Sequence, residues 1–545
     1  MTAAATNPRK LTAPADAGAL PAWTPARSAA GRHNPWTIAG VLSIATFMEV
    51  LDTSIANVSL RHIAGSLAAS TDEITWVITS YLVANAIILP VSGYLATVIG
   101  RKRFYMLCVA LFTLSSMLCG LATSLPELIL FRILQGLAGG GLVPSEQAML
   151  ADTFAPRDRG KAFALYGIAV VVAPTLGPTV GGWITESYSW HWIFLINVPV
   201  GLLSLYLCAR FIHEPQAVQQ DRREARKHGW NIDYPGFALV AIGLGALEVM
   251  LDEGERHDWF ASPFIRVFGV TALVALTAMA LWEWRCPKPV VDVRLVTNRN
   301  FGLCMLMLFV VGFVLYSTTT LLPMLVQSSH GYTALLAGYV LTPGGLATLL
   351  CMPLVGLLTA HVQLRYLLAF GLIVLAVSTA SMSFFPADLA FHTAMGARVF
   401  QGLSLGFLFI PITTLSYLGL AAGKNNVASA MMSVARNIGG SVGIALTNTL
   451  LQQRTQFHHA LLAEHVSPYN PLARNAIQNW QQQLGSTSPT LADPHVLSVL
   501  NGIVTRQAAI QAFNDVAWVL GLGVAAVVLL VPLLPKAKAQ GGAGH

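Results

Sequence analysis

The stretch LFRILQGLAGGGLVP, residues 130–144, carries one arginine in a segment that is otherwise apolar or small. A charged side chain near the centre of a bilayer costs at least about 2.5–3.5 kcal/mol, so such a residue usually faces a bundle interior or a water-filled cavity. Three small or rigid residues follow Arg132 at four-residue spacing and share its helix face: Gly136, Gly140 and Pro144. The stretch predicts a membrane helix whose arginine faces inward, either for function or to pair structurally with a neighbouring carbonyl group.

The composition of the whole chain agrees with a membrane protein. Of 545 residues, 54% are hydrophobic and 10% are charged, with a mean hydropathy of +0.61, whereas ordinary soluble proteins have about 25% charged residues. The net charge of +7 could suggest nucleic acid as a partner. The basic residues instead lie in short loops between apolar segments, which is the positive-inside pattern of polytopic membrane proteins. We expect membrane lipid around the chain and no nucleic acid.

Segments of about 17–25 mostly apolar residues each predict a membrane crossing. They predict an all-α protein with fourteen crossings in the order six, two, six: Trp36–Leu60, Ile74–Gly100, Phe104–Ala122, Glu127–Leu150, Ala162–Ile184, Ile193–Ile212, Pro235–Leu251, Phe264–Trp284, Phe301–Val326, Leu336–Thr359, Tyr366–Phe385, Ala394–Leu418, Val427–Gln452 and Ala512–Leu534. Lys and Arg concentrate in the loops on one side, which predicts that both termini are cytoplasmic.

The domain prediction follows these segments. Residues 1–35, rich in Ala, Pro and Thr, are predicted to be a disordered cytoplasmic tail. Residues 36–212 form the first six-helix bundle, and residues 213–300 hold a cytoplasmic loop, two linker helices and the loop after them. Residues 301–534 form the second bundle, including an outer loop at 453–511, and residues 535–545 form a second tail.

An internal repeat supports two related bundles. FRILQGL at residues 131–137 recurs as ARVFQGL at residues 397–403, in the fourth helix of each predicted bundle. Duplicated halves are typical of transporters, in which the substrate lies between the halves near the bilayer midplane. The repeat therefore predicts alternating access, with Arg398 as the counterpart of Arg132.

Two carboxylates lie on one face of the first helix, within FMEVLDTSIAN at residues 47–57. Glu49 and Asp52 are three residues apart. Burial and mutual repulsion favour their neutral forms, whereas a nearby arginine favours the charged form. We expect Asp52, and with it Glu49, to switch protonation within the cellular pH range, although Glu49 can also be explained by a local polar contact. The first helix of the second bundle has no acid, which favours Arg132 over Arg398 for proton coupling.

The fifth helix, within GIAVVVAPTLGPTVGG at residues 167–182, carries small residues at four-residue spacing. Ala173, Gly177 and Gly181 predict a surface for close helix contact. Pro174 and Pro178 lack a backbone N–H group and favour a bend. From the residues alone this is a packing surface.

These motifs resemble the fourteen-helix drug:proton antiporters of the major facilitator superfamily, of the EmrB and FarB type, over residues 36–534. The segment LDTSIANV at residues 51–58 is similar to that group's first-helix motif, RILQG at 132–136 to its fourth-helix motif, and residues 167–182 to its fifth-helix antiporter motif. The resemblance implies proton coupling by Asp52, Glu49 and Arg132. It implies cavity or gating roles for a further set: Gln135, Gly136, Pro174, Gly177, Pro178, Gly181, Arg398 and Arg436.

The chain departs from the family pattern at two places. The loop after the second helix usually carries an acid where Thr97 stands, which puts the charge relay of that loop in doubt. The thirteenth helix has Arg436 and Asn437 and no carboxylate, unlike some fourteen-helix relatives. Glu248, Asp252 and Glu253, near the end of the seventh helix, are interpreted as an interfacial charge cluster.

The outer loop at Gln453–Gln511 is long for a connection. Segments Ala473–Leu484 and Val496–Ile510 are predicted to form amphipathic helices within it. The resemblance implies that a periplasmic adaptor protein docks there and leads to a TolC-type outer-membrane channel.

The function expected from the sequence is proton-driven efflux of hydrophobic or amphipathic toxic compounds, such as drugs or fatty acids, across the bacterial inner membrane. No cofactor and no metal site are expected, and the chain carries no nucleotide-binding or catalytic motif in a convincing context. Two alternatives stay open: proton-coupled uptake of a small organic solute, and an assembly scaffold that transports nothing.

Overall fold

The computed structural model describes residues 34–155, 158–212, 233–287, 289–332, 334–418, 420, 424–467, 469–483 and 494–536. Both predicted tails and most of the loop at 213–233 lie outside these ranges. The described residues form helices joined by turns, and no strand occurs among them. Seventeen α-helices follow in chain order: α1 Pro35–Ser66, α2 Thr71–Ile99, α3 Arg101–Cys119, α4 Leu125–Gly139, α5 Leu142–Thr153, α6 Arg159–Ser187, α7 Trp192–Leu195, α8 Asn197–Phe211, α9 Tyr234–Glu253, α10 Pro263–Arg285, α11 Arg299–His330, α12 Ala334–Leu358, α13 Leu364–Ser381, α14 Phe391–Ser416, α15 Asn425–Glu464, α16 Pro471–Gln483 and α17 Pro494–Val528.

Twelve described segments are long and apolar enough to cross a membrane. One of them combines α4 and α5, and another combines α7 and α8. Two predicted crossings are not among the twelve, but each lies on a long helix, since α6 has 29 residues and α15 has 40. The all-helical membrane architecture is therefore confirmed, and the count of fourteen crossings stays a prediction.

The break between α4 and α5 has a local cause. Pro144 has no backbone N–H group, so the carbonyl of Gly140 loses its usual helical donor. The glycine run at 139–141 adds backbone freedom at the same place. The helix therefore restarts at Leu142.

The helices form two bundles and a linker hairpin. In the first bundle α1 packs on α6, α4 on α2 and α3, and α8 on α1 and α3. In the second bundle α11 packs on α15, α14 on α12 and α13, and α17 on α13 and α15. The linker helices α9 and α10 pack on each other, and α9 also touches α2 of the first bundle and α15 of the second. Side chains on α10, such as Leu273 at 69% exposure, present an apolar outer face suited to lipid.

Close approach of α4 to α2 requires the glycine in the repeated motif. A Cβ atom on Gly136 would collide with the carbonyl oxygen of Tyr81 in α2. Its repeat counterpart, Gly402, would collide with the carbonyl oxygen of Gly344 in α12. Both bundles thus use the same glycine for the same contact, which fits the duplication.

Helices enter the predicted outer loop at 453–511 from both sides. Helix α15 continues through Gln453 to Glu464, and α17 already begins at Pro494. The predicted helix Val496–Ile510 is therefore the outer part of α17, whereas the one at Ala473–Leu484 corresponds to the separate helix α16. At 1.5 Å per residue α15 spans about 60 Å, about twice the hydrocarbon thickness of a bilayer, so its outer half extends beyond the membrane.

Polar contacts hold this projecting part together. Asp515 of α17 accepts hydrogen bonds from Arg454 Nε at 2.7 Å and lies 2.7 Å from His458 Nε2, both on α15. An apolar cluster of Ile477 and Val496 joins α16 to α17. The sequence predicted two helices of this projection, at Ala473–Leu484 and Val496–Ile510. It did not predict the continuation of α15, because that segment is too polar to read as a crossing.

Candidate transport site

Arg132 and Asp52 form an ion pair in the interior of the first bundle. Nη1 of Arg132 lies 2.7 Å from Oδ2 of Asp52. Arg132 is 0% exposed and Asp52 is 2% exposed. Charge-assisted hydrogen bonds in a low-dielectric interior are strong, and either partner alone would be a buried unpaired charge. The structure therefore joins the predicted arginine of α4 to one of the two predicted acids of α1.

Neutral groups complete the surroundings of this pair. Gln135 accepts from Arg132 Nη1 at 2.8 Å and donates from Nε2 to Oδ1 of Asp52 at 3.0 Å. Asn197 of α8 donates to the same Oδ1 atom at 2.7 Å. Arg132 Nε donates to the carbonyl of Val77 at 3.1 Å, so the structural interpretation of Arg132 also holds in part. Asn197 was missed because a single amide in an apolar helix gives no pattern.

Glu49 occupies a different place from Asp52, although both lie on α1. Its Oε1 atom accepts a hydrogen bond from Nδ2 of Asn85 at 3.4 Å, and its Oε2 atom is buried with no partner among the residues that the structure describes. A buried carboxylate oxygen with no donor is costly when charged. Glu49 is therefore suited to carrying a proton at that oxygen.

A cavity of about 230 Å³ lies between the two bundles beside this pair. Glu49 and Arg132 from the first bundle and Arg436 from the second contribute to its wall. Apolar side chains such as Ile78 and Leu244 form much of the remainder. Mostly apolar cavities with a few polar groups are typical of small-molecule sites.

The linker helix α9 also contributes an acid to this cavity, contrary to the interfacial interpretation. Glu248 is 6% exposed, lines the cavity and accepts a hydrogen bond from Ser441 of α15 at 2.7 Å. Glu248 reaches the cavity because α9 packs against α2 of the first bundle and α15 of the second. Asp252 accepts a hydrogen bond from Thr79 of α2, and Glu253 lies near Arg256 at 3.7 Å.

A further buried acid, Glu146, escaped the sequence interpretation. It lies on α5 at 0% exposure and accepts hydrogen bonds from two hydroxyl groups of α1, those of Ser43 at 2.8 Å and Thr46. The crossing that contains it was recognised, but the residues singled out there all lie between Arg132 and Pro144. Its hydroxyl partners indicate a role in joining α5 to α1.

The second bundle repeats the Arg132 network without an acid. Arg398 Nη1 donates to Gln401 Oε1 at 2.5 Å and to Thr318 Oγ1 at 3.2 Å. Gln401 Nε2 donates to the same hydroxyl at 2.7 Å. Thr318 of α11 thus stands where Asp52 stands in α1. The structure agrees with the expected asymmetry between the halves.

The predicted residues of the fifth helix lie on α6, and the described ones contact α1. A Cβ atom on Gly177 would collide with the side chain of Ser54, and one on Gly181 would lie 2.9 Å from Ile55. Pro178 has no N–H group to offer the carbonyl of Pro174. Ser54 Oγ donates to that carbonyl instead, at 3.1 Å. The two prolines and the small residues thus favour a specific α1–α6 contact.

Contacts between the bundles seal one end of the molecule, the end where Gly100 joins α2 to the basic first turn of α3. Asn425 and Ser429 of α15 reach the first bundle there, with Asn425 Nδ2 donating to Asp152 at 2.6 Å and Ser429 Oγ donating to the carbonyl of Pro144 at 2.7 Å. Thr97 accepts from Asn426 Nδ2 at 3.3 Å. Arg101 forms an ion pair with Asp152. Asp152, at the end of α5, therefore lies beside the basic start of α3. Thr97 stands on α2 at the position where the family pattern has an acid.

The arrangement combines a cavity between two related bundles with buried groups able to exchange protons. A carboxylate paired with an arginine loses its charge, and with it the ion pair, when it takes up a proton. Because α1 and α4 lie beside the cavity, such a change alters the packing of helices that form its wall. These are the elements required for coupling a proton to the contents of the cavity.

The sequence and fold place the chain among known proteins. A family model described as the Major Facilitator Superfamily matches residues 42–444. The fatty acid resistance protein FarB of Neisseria gonorrhoeae is 36% identical over 508 residues, covering 92% of this chain and 97% of that protein. The probable multidrug resistance protein EmrY of Escherichia coli is 37% identical, with 92% and 95% covered. The multidrug export protein EmrB of Haemophilus influenzae is 37% identical, with 90% and 94% covered.

Solved structures share the fold at low identity. The proton:xylose symporter XylE superposes with a TM-score of 0.58 at 14% identity, covering 93% of this chain and 97% of that one. The human organic anion transporter MFSD10 gives 0.58 at 12% identity, with 90% and 100% covered. The chain belongs to the major facilitator superfamily and, within it, to the EmrB and FarB type. Proteins of this family are secondary transporters, so the chain is a transporter and not an enzyme.

Proposed function

We propose that the protein exports hydrophobic and amphipathic toxic compounds across the bacterial inner membrane in exchange for protons. The buried ion pair between Arg132 and Asp52, at the wall of a mostly apolar cavity, carries this proposal. The printed names of the relatives support export: FarB is named for fatty acid resistance, EmrB for multidrug export, and a relative in Acinetobacter baumannii, 28% identical, for colistin resistance.

The proton step follows from the electrostatics of the pair. A proton that arrives from the outer side neutralises Asp52 or Glu49. At Asp52 it weakens the attraction to Arg132, which lets α1 and α4 move apart. Deprotonation toward the cytoplasm restores the pair and resets the cycle. Each charge that moves down the membrane potential supplies about 2.3 kcal/mol per 100 mV, which supports concentrative work.

The sealed end of the molecule belongs to one state of this cycle. We place both termini in the cytoplasm, because the basic loops then lie inside. The contacts of Asn425 and Ser429 then close the cytoplasmic side of the cavity. Loss of these contacts and closure at the opposite end would give the other state of alternating access.

We propose a periplasmic adaptor and a TolC-type outer-membrane channel as partners. The helical projection formed by the outer parts of α15 and α17 together with α16 offers a docking surface beyond the membrane. Deletion of residues 467–494 should spare membrane insertion but weaken adaptor association, because it removes α16 and leaves the crossings in place. Deletion of residues 537–545 is the matched control. Unchanged co-purification of the adaptor with the first variant would contradict the docking surface.

Direction and substrate range are tested together. In a pump-deficient host, expression should raise the inhibitory concentrations of fatty acids, bile salts, uncouplers or lipophilic antibiotics, and the adaptor should raise them further. Counterflow in inverted and right-side-out vesicles separates export from uptake. Substrate accumulation in inverted vesicles on energisation supports export, and accumulation in right-side-out vesicles would establish uptake instead.

A further inference from the structure

Glu248 lines the larger cavity but belongs to the linker hairpin rather than to either bundle. The residue is buried, and its carboxylate accepts a hydrogen bond from the hydroxyl of Ser441 on α15 at 2.7 Å. No lysine, arginine or histidine nitrogen of the described residues lies within 4.0 Å of this carboxylate. Glu248 is therefore a buried acid held by a neutral partner.

The charges around the larger cavity do not balance when every acid is ionised. Arg132 is already paired with Asp52. The other cation among the described wall residues, Arg436, shares the wall with two carboxylates, those of Glu49 and Glu248. One positive charge does not compensate two buried negative charges, and an uncompensated buried charge is costly. The arrangement therefore favours a proton on at least one of these two acids.

The helices that pack on α9 bring no further charge to this part of the wall among the described residues. Helix α2 supplies Tyr81 and α15 supplies Arg436, whereas α10 supplies no residue to the cavity. Tyr316 of α11 lies in the same wall. Tyrosine phenols are ordinarily neutral near pH 7, so the exchangeable protons belong to the carboxyl groups.

Asp252 lies one helical turn from Glu248 on the same side of α9. The two residues are four positions apart, about 6 Å along the helix axis. Asp252 is exposed and accepts a hydrogen bond from the hydroxyl of Thr79 on α2. The partner of Glu248, Ser441, lies about 24 Å along α15 from Asn425 of the sealed end. An exposed acid therefore leads toward Glu248 from the side away from the seal.

Glu248 acts on the second bundle, whereas the pair of Arg132 and Asp52 lies within the first. Helix α15 has no acid of its own before Glu464, so its contact with a carboxylate at Ser441 comes from the linker helix. A hydrogen bond to an ionised carboxylate is stronger than one to a neutral acid. The protonation of Glu248 therefore sets the strength of a contact between α9 and the second bundle.

We propose that Glu248 is a second proton-carrying acid of the transport cycle, supplied from the outer side through Asp252. A proton taken up by the Glu248 carboxylate while the cytoplasmic end is sealed weakens the contact with Ser441, so that α15 can move relative to α9. Release of this proton toward the cytoplasm restores the contact. The role rests on the proposed exchange of protons for substrate and adds a second proton to each cycle.

Infrared difference spectroscopy of the purified full chain in detergent tests whether Glu248 exchanges a proton. A carboxylate that takes up a proton loses its carboxylate bands and gains a carbonyl stretch. The difference between acidic and alkaline samples should lose one buried carbonyl component in Glu248→Gln and retain one in Glu248→Asp. Glu186→Gln, at an exposed acid on the end of α6, should leave this component unchanged. Identical spectra for Glu248→Gln and the unaltered protein would overturn the proposal.

The number of protons moved per substrate gives a second test. In proteoliposomes with a pH difference of one unit and the membrane potential clamped at zero, each coupled proton raises the ethidium concentration ratio at which net flux reverses about tenfold. Two carriers predict a ratio of about a hundredfold for the unaltered protein and about tenfold for Glu248→Gln. This ratio does not depend on the rate of transport or on the amount of active protein, so a purely structural defect leaves it unchanged.

The unaltered protein keeps the proposal falsifiable even if Glu248→Gln folds poorly. A reversal ratio of about tenfold in the unaltered protein would overturn the second carrier without any variant. Asp252→Asn should slow ethidium transport severalfold and leave the ratio unchanged, because it interrupts supply and removes no carrier. An undiminished rate in Asp252→Asn would overturn the path through that residue.

Failure of this proposal is distinguishable from failure of the proposed function. If the reversal ratio depends on the pH difference equally in the unaltered protein and in Glu248→Gln, only the role of Glu248 is wrong. If the ratio in the unaltered protein does not depend on the pH difference, the proposed antiport is wrong and the role of Glu248 falls with it.

Discussion

Asp52→Asn is the perturbation that isolates the buried pair, because it removes one charge and changes almost no volume. The carboxylate accepts three hydrogen bonds, from Arg132 at 2.7 Å, Gln135 at 3.0 Å and Asn197 at 2.7 Å. An asparagine keeps only one oxygen acceptor, and its amide group cannot exchange a proton near neutral pH. Arg132 is left as a fully buried cation among neutral groups.

The size of the effect follows from burial. Removing one partner of a buried ion pair costs about 3–5 kcal/mol, because the remaining charge is uncompensated. The variant should therefore unfold at a lower temperature in detergent. Adding Arg132→Gln to Asp52→Asn removes the orphaned charge and should recover part of this loss. A double variant less stable than the single variant would contradict this electrostatic reasoning.

Transport separates coupling from general damage. In proteoliposomes with an imposed pH gradient, Asp52→Asn should reduce concentrative transport to background. Exchange of labelled for unlabelled substrate, which needs no proton, should continue. Asp258→Asn is the matched control, because this outer-loop residue already has a left-handed backbone (φ 52°) that asparagine tolerates. Concentrative transport by Asp52→Asn at the rate of the unaltered protein would refute the role of this acid.

Three further changes test the geometry. Arg132→Lys keeps the positive charge but loses the hydrogen bond from Nε of Arg132 to the carbonyl of Val77. It should lower proton-driven transport in the same proteoliposomes by about tenfold or more. An undiminished rate would show that charge alone suffices. Gly136→Val should prevent α2 and α4 from packing, so that no monodisperse protein elutes in size-exclusion chromatography. Gly182→Ala should be harmless, because no described atom lies within 4 Å of the added Cβ atom. Equal yields of monodisperse protein from the two variants would contradict the close contact. Gly93→Val places side-chain atoms against the backbone of Asn426 and should open the sealed end. The measurement is the rate at which a reagent supplied from that end labels a cysteine introduced into the cavity wall by Ser441→Cys. Faster labelling is expected, and an unchanged rate would contradict the seal.

Twelve of the fourteen predicted crossings were predictable because each is a helix long and apolar enough to span a bilayer. The same criterion gives no sign of the outer part of α15, since helices stabilised by contacts such as Arg454–Asp515 need no apolar character. Within the sequence this part of α15 looked like a loop. Helix α9 was recognised as a crossing, but its contact with both bundles depends on packing that no local pattern encodes.

The candidate site was predictable where a residue conflicts with its surroundings. Arg132 and Asp52 stand out as charges in apolar segments, and the structure pairs them. Asn197 and Thr318 do not stand out, because neutral polar residues are common in membrane helices and gain meaning only from their neighbours. Glu248 was interpreted as part of an interfacial charge cluster because it lies near the end of α9. Its place in the cavity wall depends on how α9 packs, which the sequence does not show.

The central claim is that substrate and protons move in opposite directions through one protein. The most direct measurement is the proton flux that follows addition of substrate to proteoliposomes containing a pH-sensitive dye. With an imposed pH gradient, a transported substrate should accelerate collapse of the gradient in proportion to the amount of substrate moved, and Asp52→Asn vesicles should show only the passive leak. Substrate transport with no accompanying proton movement, or proton movement in the same direction as the substrate, would contradict antiport.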